Sequence, residues 1–327
     1  MGLTSAFAGG SGYHLTKTVT LGGEGGWDLM AIDPPSRRLF ITHSSHVMVV
    51  DADSGNIVGD IPDTPGVHAV AIAGNLGRGF VTNGANNSVT IFDLHTLAAI
   101  AHVAVGTRPD AILYDEASHR VFSFNAGSND ATAIDAATGA VVGTIALGGK
   151  PELAAADGKG VAYINVEDKS EVIAFDTRTL SVRNHWPLAP CDEPSGMAID
   201  RTHARLFIGC HNNMMAVVAI DTGRVVATPA IGQGVDSNRF DPATGFAFSS
   251  NGGDGTLTVV HEDAPDFYSV VENIATAPRA RTMELDPRTH SVYLVTADTV
   301  PVAPTADNPH PRPSVVPGTF RLLIFGR

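Results

Sequence analysis

The 327-residue chain contains no apolar run near the ~18 residues that would cross a bilayer as a helix, so membrane insertion is not expected. Positive charge is scarce: 21 Lys and Arg stand against 34 Asp and Glu, and the net charge of -13 is spread along the chain. Nucleic acid is therefore not an expected partner, because phosphate binding needs a basic face that releases counterions. The motifs G-x-S-x-G and H-E-x-x-H are missing, as are Walker and dinucleotide-binding signatures, which disfavours a serine hydrolase or a nucleotide enzyme. No C-x-x-C-H run offers a haem attachment, and long Ala/Leu/Glu/Lys stretches of helical character are lacking.

What the chain has instead is Gly, Pro and short runs rich in Val, Ile and Thr, and those runs repeat. Segments such as Ala31-Ile32-Asp33, Val70-Ala71-Ile72, Ile112-Leu113-Tyr114, Ala154-Ala155-Ala156, Ala198-Ile199-Asp200, Arg239-Phe240-Asp241 and Glu284-Leu285-Asp286 recur about every 42 residues, a spacing typical of four-stranded propeller blades. Each is followed by a second run (Arg38-Leu39-Phe40-Ile41, Arg120-Val121-Phe122-Ser123) and a turn of Asn, Asp, Ser or Gly. A third run then often closes on Asp (Val89-Thr90-Ile91-Phe92-Asp93), and a more polar fourth run completes the unit. Runs of four to six β-branched and aromatic residues between turn formers read as strands, and their continuous apolar character suits sheets covered on both faces. The expected fold is all-β: a seven-bladed β-propeller of four-stranded antiparallel blades, with strands a to d from the centre outwards. The last repeat ends at Phe320–Phe325, a third strand. The N-terminal run Tyr13–Leu21 supplies the missing fourth and closes the ring, which removes two exposed edges. Residues 13–327 are thus expected to form one domain.

The blade pattern resembles the YVTN repeat of YncE-like propellers over nearly the whole chain. The residues that carry the likeness are Gly106-Thr107-Arg108-Pro109-Asp110-Ala111 and Gly149-Lys150-Pro151-Glu152-Leu153 at the opening of a blade, and Val89–Asp93 and Asp135–Val142 in the third strand and its turn. The resemblance implies a seven-bladed ring and an extracytoplasmic location, with more distant likeness to streptogramin lyases and the haem d1 propeller. It does not imply one activity. DNA binding, attributed to the enteric namesake, does not carry over to a chain without a basic surface.

Thr4-Ser5-Ala6-Phe7-Ala8, with small residues at Ala6 and Ala8, resembles the end of a secretory signal. Residues 1–12 are accordingly read as a signal-peptide remnant and flexible start, and a periplasmic or extracellular location is expected. An ordinary flexible start is the plainer alternative.

In an a-to-d blade the d-to-a connections and the b-to-c turns share one face, at the mouth of the central channel. Loops on a rigid scaffold are where function usually sits. The candidate ligand-binding residues there are Trp27, Asp28, His68, Arg108, Asp110, Lys150, Glu152, Glu193, Asp236, Asn238, Arg279 and Arg281. Converging charges of both signs can hold a small polar ligand and shift one another's pKa values. The bland alternative is a wet, polar rim in which Arg108, Arg279 and Arg281 simply pair with Asp110, Glu152 or Glu193. His43, His46, His68 and His211 are candidate ligands for a divalent transition metal, with solvated surface histidines as the alternative, and His310 is a weaker candidate. Asn83, Asn125, Asn165 and Asn251, each after strand b, read first as turn formers.

Cys191 and Cys210 flank strands a and b of the fifth blade at neighbouring ends, so a disulfide is expected in an oxidising compartment, with a Cys/His211 metal site as the rival. The Pro-rich stretch Ala297–Thr319 replaces the last b-to-c turn and reads as a lid or partner-binding arm, or as a rigid loop packed on blade seven. Two functions remain open. The first is an exported propeller that binds a small polar ligand or a protein partner at the channel mouth. The second is a lyase or hydrolase in the same funnel, using a metal or an acid/base pair drawn from His68, Glu193 and Asp28. A monomer satisfies the sequence.

Overall fold

The computed structural model describes residues 10–305, 311 and 313–327. Its strands form seven four-stranded antiparallel sheets and one short two-stranded pair. The innermost strand of each blade contacts that of the next, and the seventh contacts the first, so the sheets form a closed seven-bladed propeller around a channel. In blades 1 to 6 the strand order in space is the order in sequence. Blade 1, for example, runs Trp27–Asp33, Arg38–His43, His46–Asp51 and Ile57–Ile61. Blade 7 takes Met283–Leu285, Val292–Thr296 and Arg321–Gly326 from the C-terminal end of the chain and His14–Thr20 from the N-terminal end. The two ends pair from His14↔Gly326 to Thr20↔Arg321. The contact with blade 6 also reaches residues ahead of this strand: Ser11 is buried and donates from its backbone N and Oγ to Glu272 Oε2 (3.0 and 2.7 Å). Residues 10–12, expected to be a flexible start, are therefore tied down. The rest of the signal-like stretch lies outside the described residues.

The burial pattern explains the strands. Strands b and c are buried on both faces, whereas strand d is largely exposed. The third residue of strand b is aromatic in six blades (Phe40, Phe80, Phe122, Tyr163, Phe207 and Phe248), and each is at most 3% exposed. Full burial of one such side chain stabilises by about 1.5–3 kcal/mol. Several reach the neighbouring blade: Phe40 meets Phe92 at 5.6 Å, Phe122 meets Phe175 at 5.2 Å, and Phe207 stacks on Phe240 at 4.8 Å.

Polar residues stitch the blades on the face away from the mouth. Arg38, Arg78 and Arg120 open strand b of blades 1 to 3. Each guanidinium donates to a carbonyl at the c–d turn of the next blade: Leu94 (2.6 Å), Ala136 (3.2 Å) and Thr177 (2.8 Å). The asparagines that end strand b are not turn formers, as expected from sequence, but cross-strand clamps. Asn83 Nδ2 donates to Ser88 Oγ and Thr90 Oγ1 (2.9 and 2.8 Å), Asn125 to Asp130 and Thr132, and Asn251 to Thr256 and Thr258. Asn165 reaches further, to the carbonyls of Ser195 and Gly196 in blade 5. Inside a covered sheet an unpaired amide would be costly, so a hydroxyl or carboxylate opposite fixes the pairing.

In the insertion of blade 7, Thr299–Val300 pairs with Ser314–Val315. Val316 N donates to the Asp298 carbonyl (2.9 Å), Gly318 N to the Gly23 carbonyl (3.1 Å), and Arg321 pairs with Asp298 (2.8 Å). The described part of the insertion is thus packed on the seam between blades 7 and 1. His310 lies outside the described residues. Among the described residues no helix is long and apolar enough to cross a membrane.

Candidate functional site

The mouth is built on one repeated backbone contact. In six blades an amide of the b–c turn donates to a carbonyl of the preceding d–a loop: Ser44 to Gly26 (2.8 Å), Gly84 to Gly66 (2.8 Å), Ala126 to Arg108 (2.9 Å), Glu167 to Lys150 (2.9 Å), His211 to Asp192 (3.0 Å) and Gly252 to Gly234 (2.9 Å). In blade 5 the tie is also covalent, because Cys191 and Cys210 are joined by a disulfide, with Cα atoms 5.5 Å apart. Loops fixed in this way present their side chains to the channel from a rigid ring. Arg108 shows the result: its φ of 53° is left-handed, its N–H donates to Asn87 Oδ1 (2.9 Å), and its carbonyl accepts from Ala126.

A cavity of about 400 Å³ opens at the mouth. Its wall carries Asp28, His68, Arg108, Asp110, Lys150, Glu152, Glu167, Ser195, His211, Asp236 and Arg281, and its floor is the apolar Leu29, Ala111 and Leu153. The wall charges fall into two arcs. In the first, Ser195 Oγ meets Asp236 (3.2 Å). Asp236 holds Arg281 Nε (3.1 Å), Arg281 reaches Asp28 (3.4 Å), and His68 Nδ1 sits between Asp28 Oδ2 (2.7 Å) and Asp110 Oδ1 (3.0 Å). In the second, Lys150 is gripped by Glu152 (2.6 Å) and Glu167. Glu167 stands 4.0 Å from His211, whose Nδ1 meets Glu193 at 3.1 Å on the rim. No ion pair joins the arcs among the described residues; Asp110 and Glu152 face each other as like charges.

This crowding sets the protonation states. Burial, then the Asp110 charge, push the Glu152 carboxyl up to about 8, outweighing Lys150. Burial also raises Asp28, against the opposing pull of His68 and Arg281. Burial alone would lower His68, but the hydrogen bond to Asp28 and the charge of Asp110 leave it raised. Asp236 leads the charges that hold Arg281 protonated. The Asp28–His68–Asp110 group therefore keeps a proton at a pH where a free imidazole would have lost it.

Of the sequence candidates, the structure brings Asp28, His68, Arg108, Asp110, Lys150, Glu152, Asp236 and Arg281 to one cavity. Four others stand apart from it. Asn238 is fully buried within blade 6 and donates to the Phe248 carbonyl (3.2 Å), so it offers nothing to a ligand. Trp27 is 7% exposed, packed between Phe320 (5.5 Å) and the Arg279 guanidinium (5.5 Å). Trp27 and Arg279 line a second cavity, of about 760 Å³, beneath Pro313–Val315 and Pro317 of the insertion; it shares Arg281 and Gly234 with the first. Glu193 caps His211 at the rim and does not face His68, so the His68–Glu193 acid/base pair is not formed.

The four candidate metal histidines do not converge either. His43 is buried against Phe320 (4.5 Å) with Nδ1 3.2 Å from His46 Nε2, and burial lowers it to about 4, aided by His46. His46 in turn pairs with Asp60. Of the four, only His68 belongs to a compact trio among the described residues: ligand atoms of Asp28, His68 and Asp110 lie within 4.8 Å of one another. A similar trio, Asp200, His203 and Glu262, lies on the opposite face, where Asp200 also accepts the turn amides of Thr202 and His203 (2.8 and 3.1 Å). The disulfide removes Cys191 and Cys210 as metal ligands.

Glu167 and Ser195 join the cavity wall without having been among the expected site residues. Glu167 could have been found from its position, one residue after strand b of blade 4, where it opens a turn. Ser195 lies inside strand a and carries no signal of its own.

No family model and no curated protein sequence matches this chain. Solved structures do. A chain of Kuenenia stuttgartiensis hydrazine synthase superposes with a TM-score of 0.71 at 16% identity, covering 83% of this chain and 92% of that one. A chain of a mitotic checkpoint complex superposes with a TM-score of 0.77 at 16% identity, covering 96% and 91%. At this identity the likeness establishes a shared propeller fold, a scaffold that commonly binds ligands or proteins, and nothing about chemistry.

Proposed function

We propose that this protein is an exported, YncE-like propeller that binds a small polar ligand in the charged mouth of its channel. One observation carries the reading: a recessed cavity of about 400 Å³ with an apolar floor and a wall of polar and charged side chains drawn from all seven blades. That volume lies in the range of small-molecule sites. A recess of this kind favours a small molecule over a protein partner, which would engage the rim. Export is supported by the Cys191–Cys210 disulfide, since such bonds persist in oxidising compartments, and by the signal-like N-terminal residues. The repeat resemblance supports the same placement. The test is a thermal-shift and calorimetric screen of polar metabolites against the wild type and Asp28→Asn. A ligand that stabilises the wild type and loses affinity for the variant supports the proposal. A screen whose binders ignore the mouth substitution overturns it.

A second reading, a metal-dependent or acid/base lyase or hydrolase, is favoured by the Asp28–His68–Asp110 trio. One nitrogen and two carboxylate oxygens suit a borderline divalent ion. Elemental analysis of untagged protein decides it: stoichiometric metal lost in His68→Ala supports that reading, and metal-free protein removes it.

A further inference from the structure

The charges of the mouth are not equally available to a ligand. Lys150 is held by two carboxylates, Glu152 and Glu167, and Arg281 by two more, Asp28 and Asp236. Arg108 is different. It is exposed, its backbone is clamped on both sides, and no carboxylate lies within ion-pair distance of its guanidinium among the described residues. A planar fork with five donors, fixed at a cavity wall and without a partner, is suited to an incoming carboxylate. The carboxylates show the reverse imbalance. Asp110 and Glu152 line the same cavity and act on each other as like groups, and neither makes a direct ion pair with Arg108 or Arg281 among the described residues, although His68 and Lys150 pair with them. Like charges brought together in a partly buried place are relieved by a cation seated between them. Beneath both lie Leu29, Ala111 and Leu153, which suit a short alkyl segment.

We propose that the ligand of the mouth is a small amino acid in the broad sense, with its ammonium between Asp110 and Glu152 and its carboxylate on Arg108. This rests on the mouth being a polar-ligand site. The inference adds the class of ligand and the residue that receives each end.

The experiment is calorimetric titration with three matched sets of probes: short linear and α-amino acids, the corresponding amines without the carboxylate, and the corresponding acids without the amine. Each set is measured on the wild type, Arg108→Gln, Arg108→Lys and Asp110→Asn, after melting curves establish that each variant is folded. Amino acids are expected to bind the wild type about tenfold more tightly than the matched amines, the scale of one charge-assisted hydrogen-bonded contact. Arg108→Gln should erase that difference without altering amine binding, and Arg108→Lys should restore part of it. Asp110→Asn should weaken both by about tenfold, and the acids should not bind. Amines that bind as tightly as amino acids, with Arg108→Gln neutral, overturn the ligand class while the polar site stands. The same holds if only sugars or polyols bind and Asp28→Asn weakens them. If no polar probe binds at millimolar concentration, both proposals fall.

Discussion

The two faces of the ring use the same side chain for opposite purposes. On the face away from the mouth, aspartates end strands a and c and are satisfied by their own turns. Asp51 accepts from the amide and hydroxyl of Ser54 (2.7 and 2.6 Å), and Asp135 accepts from those of Thr138 (2.8 and 2.7 Å). These bonds hold Asp51, Asp93 and Asp135 below the usual carboxylate range. At the mouth, Asp28 and Glu152 are buried among other charges and lie above that range. An acid whose partners are local amides and hydroxyls shapes a turn. An acid whose partners are charged side chains from other blades is arranged for something that comes and goes.

The comparison can be broken in several places. The largest effect is expected from the mouth's covalent tie. Cys191→Ser with Cys210→Ser should lower unfolding free energy by about 3 kcal/mol, the chain-entropy value for a loop of this size. Chemical denaturation of oxidised wild type and variant measures it, and an unchanged midpoint would show that the backbone contacts alone fix blade 5. Next comes an acid of the far face. Asp135→Ala should cost about 2 kcal/mol in urea through the loss of two bonds to an ionised group, with ligand affinity unchanged. Its mirror at the mouth, Asp28→Asn, should leave the melting temperature near wild type yet weaken ligand binding about tenfold, or about 1.4 kcal/mol. The same change should lower the His68 imidazole pKa, read by NMR, since the negative charge of its hydrogen-bond partner is gone.

The last contrast is a difference in pH dependence. Glu152 titrates near 8 in the folded protein against an ordinary value of 4.5. Between those values the folded state binds more protons than the unfolded state, so this group's contribution falls as pH rises through that window. Glu152→Gln should therefore lose less stability than wild type between pH 5 and 8. The turn aspartates have the opposite sign. Their depressed values give stability that is present above pH ~4 and lost as pH falls through the folded value, so Asp135→Ala should flatten the acid limb alone. If both substitutions altered the same limb, the distinction between the faces would fail.

The blades, their strand order and the closure of the ring were legible in the sequence because each rests on a period repeated seven times. The disulfide was legible because Cys191 and Cys210 sit at fixed places within that period. The ring of mouth residues followed from topology, and most of its charged members do meet. What a one-dimensional pattern could not give was how those charges divide. Asp110 and Arg108 are two residues apart, yet Asp110 pairs with His68 of another blade and Arg108 with no carboxylate among the described residues. Asn238 looked like a rim residue from its offset, but strand a has already turned into the core there. The asparagines of strand b misled because an Asn before a turn has the same sequence signature whether its amide bonds the turn or the strand opposite.

The pairing of His14–Thr20 with Arg321–Gly326 also governs how the molecule comes to exist. The strand His14–Thr20 has no sheet to join until Arg321–Gly326 has been made, so blade 7 is completed only after the six blades that lie between them in the sequence. Moving the termini to a connection between two blades would let every sheet form from a single hairpin meander, and such a permuted chain should close faster than the natural one.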